Sequence, residues 1–453
     1  MKESRYNVWV ERDGAAYVYN GVSGALRRLS PADCDAVRRF LANDRDTDSD
    51  CRPELLADLI RGRMLVRDGF DELSFLTARY RTSRHGTDHF ALTIVTSLGC
   101  NFDCPYCFEA KHPSIMNAEV QEAVLRLLDD KLPTIRGFSV TWYGGEPLVG
   151  KRSLLALSDA FIGRCDRHEV HYGADIITNG SLLDEETCVQ LRDRRVGMAQ
   201  VTLDGPPDVH DRMRPTVGGR GTFWGIVRNL HHAVEYLSVA VRVNVDRGNI
   251  GRAEELLQIL AVEGFAGKLS VYPGQLVAVA DGAPAPSASY GGHCFTGPEF
   301  ARAQLAFAEL ARRYGFGSTS LPRPTGTPCT AVRANELVVG SKGELYKCFE
   351  SVGNRLEVIG DIRRYRETNG RLEKWLKYDP FADAECRGCI ALPVCMGGCA
   401  HHAMDPKLYD NRCDTFRHTY REQVLGFVET AEQAGADGPT ASAPAGPRME
   451  KAR

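Results

Sequence analysis

Apolar and polar residues alternate in short runs from the start of the chain. Tyr6-Asn7-Val8-Trp9-Val10 and Ala16-Tyr17-Val18-Tyr19 read as two strands joined by a turn at Arg12-Asp13-Gly14. Ser30-Pro31-Ala32-Asp33 carries helix-start signals, with Ser30 as N-cap and Pro31 in the first turn, and that helix is predicted to reach Leu41. A second helix is predicted over 53–63, followed by a strand and turn at Met64-Leu65-Val66-Arg67-Asp68-Gly69. Two β segments, helices and a wing-like hairpin suggest a small winged-helix domain over residues 1–82, and the polar stretch 81–88 reads as a linker.

From residue 89 to about 290 strand-like and helix-like patterns alternate. Strands are expected at 90–96, 137–142, 175–178, 198–203, 239–245 and 269–272, with helices between them, for example over 118–131 and 152–164. Repeated β-α units imply a parallel sheet, open or closed into a barrel. Six strands are too few for a complete eight-stranded barrel, so the fold class is α/β with a partial (β/α)6 barrel. A Gly/Ala/Pro/Ser-rich crossing loop spans 275–297, a helix is predicted over 299–314, and a Cys-rich region within 291–430 ends in a helix near 415–434. The Ala/Pro/Gly-rich tail 435–453 reads as disordered.

A net charge of -3 gives no electrostatic reason to expect nucleic acid or a membrane as partner. No apolar run approaches the roughly 20 residues of a membrane span, and Met1-Lys2-Glu3-Ser4-Arg5-Tyr6 lacks the pattern of a signal peptide. The expected location is the cytoplasm. Fifteen cysteines in a reducing compartment favour metal or redox chemistry over a disulfide framework.

Ten of those cysteines fall into two spaced sets. Cys100, Cys104 and Cys107 form a C-x3-C-x2-C run, expected on the loop after the first strand of the β/α region. Three thiolates are one short of the four that usually hold a [4Fe–4S] cluster, leaving one iron for a chelating amine and carboxylate. Zinc is the competing reading, but it usually takes paired C-x2-C knuckles with a fourth ligand nearby. The second set runs Cys329-x13-Gly343-x4-Cys348, then Cys386-x2-Cys389-x5-Cys395-x3-Cys399, then Cys413. Of the five others, Cys34, Cys51, Cys165 and Cys188 read as thiols behaving like small hydrophobes. His401-His402 is adjacent to Cys399 and suits hydrogen-bonding or surface roles, while His231-His232 reads as structural within a helix.

The run Cys100-Asn101-Phe102-Asp103-Cys104-Pro105-Tyr106-Cys107 resembles the cysteine loop of radical S-adenosylmethionine (radical SAM) enzymes. Gly144-Gly145-Glu146-Pro147, at the next strand end, resembles that family's GGEP motif. Its glycines permit close backbone approach to a ligand, and Glu146 offers an acceptor for a charged amine. Thr178-Asn179-Gly180 and Thr202-Leu203-Asp204-Gly205-Pro206 resemble later cofactor-contacting segments. The resemblance implies cofactor contacts from Tyr106, Gly144, Gly145, Glu146, Pro147, Asn179, Thr202 and Arg214, with Arg220 a further candidate for the methionyl carboxylate. Asn-Gly and Asp-Gly are also ordinary turn formers.

The second set resembles the seven-cysteine SPASM domain. That implies one auxiliary cluster on Cys386, Cys389, Cys395 and Cys413 and another on Cys329, Cys348 and Cys399. The fourth ligand of the latter is open between Cys294, a non-cysteine residue, water and substrate. With the first cluster this makes three [4Fe–4S] clusters plus S-adenosylmethionine, and the catalytic centre is Cys100, Cys104 and Cys107. The N-terminal strand and helix order resembles the PqqD-like precursor-recognition module of ribosomal-peptide maturases, with a stabilising cap as the competing reading. The implied activity is radical modification of a ribosomal precursor peptide, most simply a thioether or carbon–carbon cross-link, with an electron donor such as flavodoxin or ferredoxin. Formylglycine formation, as in sulfatase maturases, and a non-catalytic iron–sulfur electron carrier are the alternatives.

Overall fold

The computed structural model describes residues 1–42, 51–277, 285–290, 293–317 and 320–433. The tail at 435–453 and part of the loop at 275–297 lie outside them.

Six parallel strands run in chain order: His89–Ser97, Gly137–Gly144, His171–Thr178, Val196–Thr202, Ser238–Val245 and Leu269–Gln275. Each pairs with its sequence neighbour. Burial largely alternates along the second and third strands, whereas the first and fifth carry longer buried runs because both of their faces are covered. Those helices include Ala118–Lys131, Glu185–Asp193 and Phe223–Tyr236. The first two are capped by Asn117 and Asp184, whose side chains accept the otherwise orphaned N–H groups of Val120 and Thr187. Phe138, Phe161 and Tyr172 pack ring against ring in the layer between strands and helices.

The sheet does not stop at the first strand. Glu336–Val339 adds in parallel beside His89–Ser97, and Glu344–Tyr346 and Gly360–Asp361 follow antiparallel, making nine strands in an open order. The Cys-rich region is therefore joined to the parallel sheet by its own strands.

The N-terminal region is a three-stranded antiparallel sheet, Asn7–Arg12, Ala15–Asn20 and Leu26–Leu29, followed by helices Pro31–Ala42 and Pro53–Arg61. Asp13 and Gly14 both have positive φ, as a tight hairpin turn requires. Two expectations are corrected here. Met64–Gly69 is no wing hairpin: Leu65–Val66 pairs with Lys2–Glu3 at the chain start. Nor is 81–88 a linker through its length, because helix Glu72–Arg84 runs through residue 82. Arg84 at its end is buried and donates to the carbonyls of Trp375, Leu376 and Tyr378 at 2.8, 2.7 and 2.5 Å. Val8, Val10, Tyr17 and Tyr19 share a core with Phe416, Val424 and Val428 of the last helix, Phe416–Gln433. Tyr6, Leu76 and Tyr80 share another with Phe381, Leu392 and Met396.

Candidate active site

The first parallel strand ends at Ser97, and Leu98-Gly99 lead into the loop carrying Cys100, Cys104 and Cys107. The loop is pinned from across the sheet: Asp103 N donates to Pro215 O at 2.9 Å, and Val217 N to Asn101 O at 3.1 Å. The Lys111 ammonium is tied to the same loop, its Nζ donating to Phe102 O at 2.9 Å. Burial works against the Lys111 ammonium, yet Cys107, Cys104 and Cys100 together hold it above its ordinary range. Burial in turn pushes the Cys107 thiol up to about 12, with Glu109 adding to the effect, and raises Cys100 as well.

The second strand ends in Gly144-Gly145, and both glycines face that loop. Gly144 has φ +134°, and a Cβ there lies 2.2 Å from Ser97 O. A Cβ on Gly145 lies 2.8 Å from both Leu98 O and Gly99 O. Gly145 N donates to Ser97 O and Glu146 N to Gly99 O, both at 3.1 Å. The close approach that glycine permits is thus made to the root of the cysteine loop.

Glu146 is fully buried, and burial raises its carboxyl against three donors. Its Oε1 accepts from Leu148 N at 3.0 Å and Thr178 Oγ1 at 2.8 Å, and its Oε2 from Asn179 N at 2.7 Å. A carboxylate has about four acceptor positions, so one on Oε2 is left. Pro147 O accepts from Thr96 Oγ1 at 2.8 Å, tying the motif to the first strand. Asn179 reaches the cysteine loop directly: its Nδ2 donates to Asn101 Oδ1 at 2.8 Å and points at Cys100 Sγ at 3.8 Å.

Tyr106 is held at its hydroxyl, which donates to Asp204 and accepts from Arg214 Nη1 at 2.6 Å and Asn244 Nδ2 at 3.3 Å. Asp204 also accepts from Asn244 N at 2.9 Å, and Arg214 lies 3.9 Å from its carboxylate. The Arg214 guanidinium is therefore engaged within the protein, while Arg220 is exposed. Thr202, at the end of the fourth strand, is buried and makes no side-chain hydrogen bond among the described residues.

In the C-terminal region Cys348 is buried with its thiol pushed well up, and Glu350, Cys399 and Cys329 add to the effect. Cys386 is pushed up to about 12 by burial, with Asp383, Cys413 and Cys389 nearby. Cys395 packs with Cys389 against the same apolar cluster. His402 sits by Cys399 and Glu350, with Nε2 3.4 Å from the Glu350 carboxylate. These partners outweigh burial and hold it up at about 11. The Cys294 thiol donates to Tyr290 O at 3.6 Å, and the Tyr290 ring meets Tyr106 edge-on at 5.9 Å. Among the described residues no three His, Cys, Asp or Glu side chains are placed to hold a single metal ion.

Residues 94–259 match the model of the Radical SAM superfamily. The chain carries a radical SAM domain. It is 28% identical over 166 residues to the Fe-coproporphyrin III synthase of Methanosarcina barkeri, covering 36% of this chain and 39% of that one. It is 22% identical over 328 residues to the serine-type anaerobic sulfatase-maturating enzyme of Klebsiella pneumoniae, covering 67% and 79%. The fold matches anSMEcpe with bound AdoMet and Kp18Cys peptide at a TM-score of 0.56 and 18% identity, over 75% of this chain and 99% of that chain. The matched segments span only 34%, 39% and 36% of three curated relatives.

The radical SAM domain spans the thiol loop, the GGEP turn, Asn179, Thr202 and Arg214. Three soft donors carried by one short loop fit an iron–sulfur cluster, because bound iron relieves the cost of burying thiolates. Sequence reasoning missed Asp204, Asn244 and Glu109. Asp204 stands two residues after Thr202 in a motif already singled out. Glu109, two residues after Cys107, is buried, and burial pushes its carboxyl up to about 7 although the Tyr143 hydroxyl opposes the shift. Among the described residues its Oε2 has no hydrogen-bond partner.

Proposed function

We propose that this protein reductively cleaves S-adenosylmethionine and uses the resulting radical to modify side chains of a ribosomally made precursor peptide. The observation that carries this reading is the seating of Gly144 and Gly145 against the root of the loop that bears Cys100, Cys104 and Cys107, beside the buried Glu146, at the C-terminal ends of parallel strands. Cys100, Cys104 and Cys107 would hold a [4Fe–4S] cluster, which when bound would supply the single electron for reductive cleavage and, through the cofactor, hydrogen-atom abstraction from the substrate. The chain's own part is placement. Glu146 offers its remaining acceptor to the methionyl amine, Thr202 its hydroxyl, and the Asp204–Tyr106–Arg214 set fixes the cysteine loop. Forming a thioether or carbon–carbon cross-link removes two hydrogens from the substrate: one would leave as an atom, giving 5′-deoxyadenosine, and the other as a proton to a base or solvent and an electron, for which an iron–sulfur cluster held by the C-terminal cysteines would be the acceptor.

In this reading Cys386, Cys389, Cys395 and Cys413 hold one auxiliary cluster and Cys329, Cys348 and Cys399 the other. The fourth ligand of the latter is open between Cys294, a non-cysteine residue, water and substrate. The N-terminal sheet offers Leu26–Leu29 as an edge strand, to which a leader peptide adds by main-chain hydrogen bonds. A cytoplasmic location accords with the absence, among the described residues, of any helix long and apolar enough to cross a membrane.

A second reading is supported by the sulfatase-maturating relatives: oxidation of a Cys or Ser side chain to formylglycine. Mass spectrometry of a co-expressed precursor peptide separates the two. A cross-link loses two hydrogens and resists aldehyde-trapping hydrazines, whereas formylglycine is trapped. Cys104→Ala should abolish both 5′-deoxyadenosine formation and the mass change. Cleavage persisting in that variant overturns the assignment.

A further inference from the structure

The C-terminal cysteines differ in the charge that faces them. Arg417, in the last helix, aims Nη1 at Cys413 Sγ at 3.1 Å. The same guanidinium is anchored from the other side by Glu385, with Nη1 and Nη2 each 3.3 Å from Oε2. Arg412 stands behind it, its side chain only 5% exposed, with Nη2 2.7 Å from the same carboxylate oxygen. Its guanidinium carbon lies 3.5 Å from the centre of the Tyr409 ring, so its position is fixed. Arg412 also comes within 4.0 Å of Asp383, whose carboxylate accepts the N–H groups of Glu385 and Cys386. Arg417 acts on Cys389 as well as Cys413. At Cys348 the neighbouring charge is the carboxylate of Glu350, which is itself paired with His402 at 3.4 Å.

A cluster gains one negative charge when it is reduced. An N–H donor on its sulfur and a fixed cation beside it stabilise the reduced form more than the oxidised one, which raises the potential. We propose that Arg417 is the redox-tuning residue of the Cys386, Cys389, Cys395 and Cys413 site, raising the reduction potential of the cluster held there. The inference rests on the reading that those four cysteines bind a cluster. The couple is a single electron added to the oxidised cluster, and Glu385 moderates the tuning by partly neutralising the guanidinium.

The test is a mediated potentiometric titration of the reconstituted full-length protein, followed by electron paramagnetic resonance, with iron counted per chain. Cys413→Ala identifies the signal. If it changes neither iron content nor spectrum, the four-cysteine reading fails, and that outcome is distinct from failure of the tuning. Arg417→Gln should move the midpoint to more negative potential with iron content kept, and Arg417→Lys should restore part of the shift. Glu385→Gln, which leaves both cations, should move it the opposite way. An unmoved midpoint in Arg417→Gln at full iron content overturns the proposal. Should Arg417→Gln lose iron, an unmoved midpoint in Glu385→Gln overturns it instead.

Discussion

Replacing Gly145 by Ala adds one methyl group where the second parallel strand meets the cysteine loop. That carbon would sit 2.8 Å from Leu98 O and Gly99 O and 3.0 Å from Gly99 C. Relaxed heavy-atom contacts lie near 3.5 Å, so the overlap is about 0.7 Å on two backbone oxygens at once. Neither oxygen belongs to a side chain that can swing away. If the chain absorbs the overlap in place, the cost is that of an overpacked core, about 1–3 kcal/mol. If the loop retreats instead, it strains the bonds from Gly145 N to Ser97 O and from Glu146 N to Gly99 O, each worth about 1 kcal/mol. Retreat also moves Gly99, the residue before Cys100. Reactive constellations tolerate only about 0.5 Å of displacement, and a 1 Å error costs on the order of 10²-fold in rate. The expected outcome is a folded protein whose 5′-deoxyadenosine formation under dithionite falls about 10- to 100-fold, with circular dichroism unchanged. A rate within twofold of the parent at full iron content would refute the claim that this glycine exists to let the strand end abut the cysteine loop.

Arg84→Met removes the donors to Trp375, Leu376 and Tyr378 while keeping most of the buried stem. Charged hydrogen bonds contribute about 1.5–3 kcal/mol each, offset by relief of a buried charge, so about 3–5 kcal/mol is lost locally. Hydrogen exchange of the 375–397 amides should accelerate by about 10²-fold or more, and unchanged exchange would contradict a clamping role. Tyr106→Phe deletes the hydroxyl joining Asp204 and Arg214 and should cost about 1–3 kcal/mol in denaturant unfolding of the metal-free protein. An unchanged midpoint would mean that this contact does not hold the loop.

The six parallel strands were legible because helix-covered strands carry long buried apolar runs between turn signals, and the thiol loop because three cysteines at fixed spacing are rare. Helix Glu72–Arg84 was not legible, and its buried face explains why. The face consists of Glu72, Leu76, Tyr80 and Arg84, so two of its four members are charged and no apolar stripe exists to read. Glu72 is satisfied by Ser4 Oγ and by Arg5 N at 3.1 Å, and Arg84 by carbonyls nearly 300 residues away in sequence, partners that composition cannot disclose. The same holds for Glu336–Val339. Four residues are too few for a periodic signal, and their partner strand is His89–Ser97. The site residues missed by sequence have a common cause as well. Asp204 and Asn244 act on Tyr106 from two different strand ends, and only the register of the sheet brings them together.

The packing of the N-terminal region also changes how its role is to be tested. Tyr6, Leu76 and Tyr80 share a core with Phe381, Leu392 and Met396, against which Cys386 packs. Arg84 grips the backbone at 375–378, and the Tyr378 hydroxyl donates to Gly397 O at 2.6 Å, between Cys395 and Cys399. A peptide seated on the edge strand Leu26–Leu29 would therefore lie on the same packed body as the C-terminal cysteines. Deleting the first eighty or so residues would expose that shared core and free the cysteine-bearing segment. A loss of product after such a deletion would then say as much about the auxiliary sites as about recognition. Arg28 avoids the confusion: it is exposed on the edge strand, outside both shared cores. A substitution there that weakens leader binding while iron content stays constant isolates recognition from scaffolding, because it leaves Arg84, Tyr378 and the shared core intact.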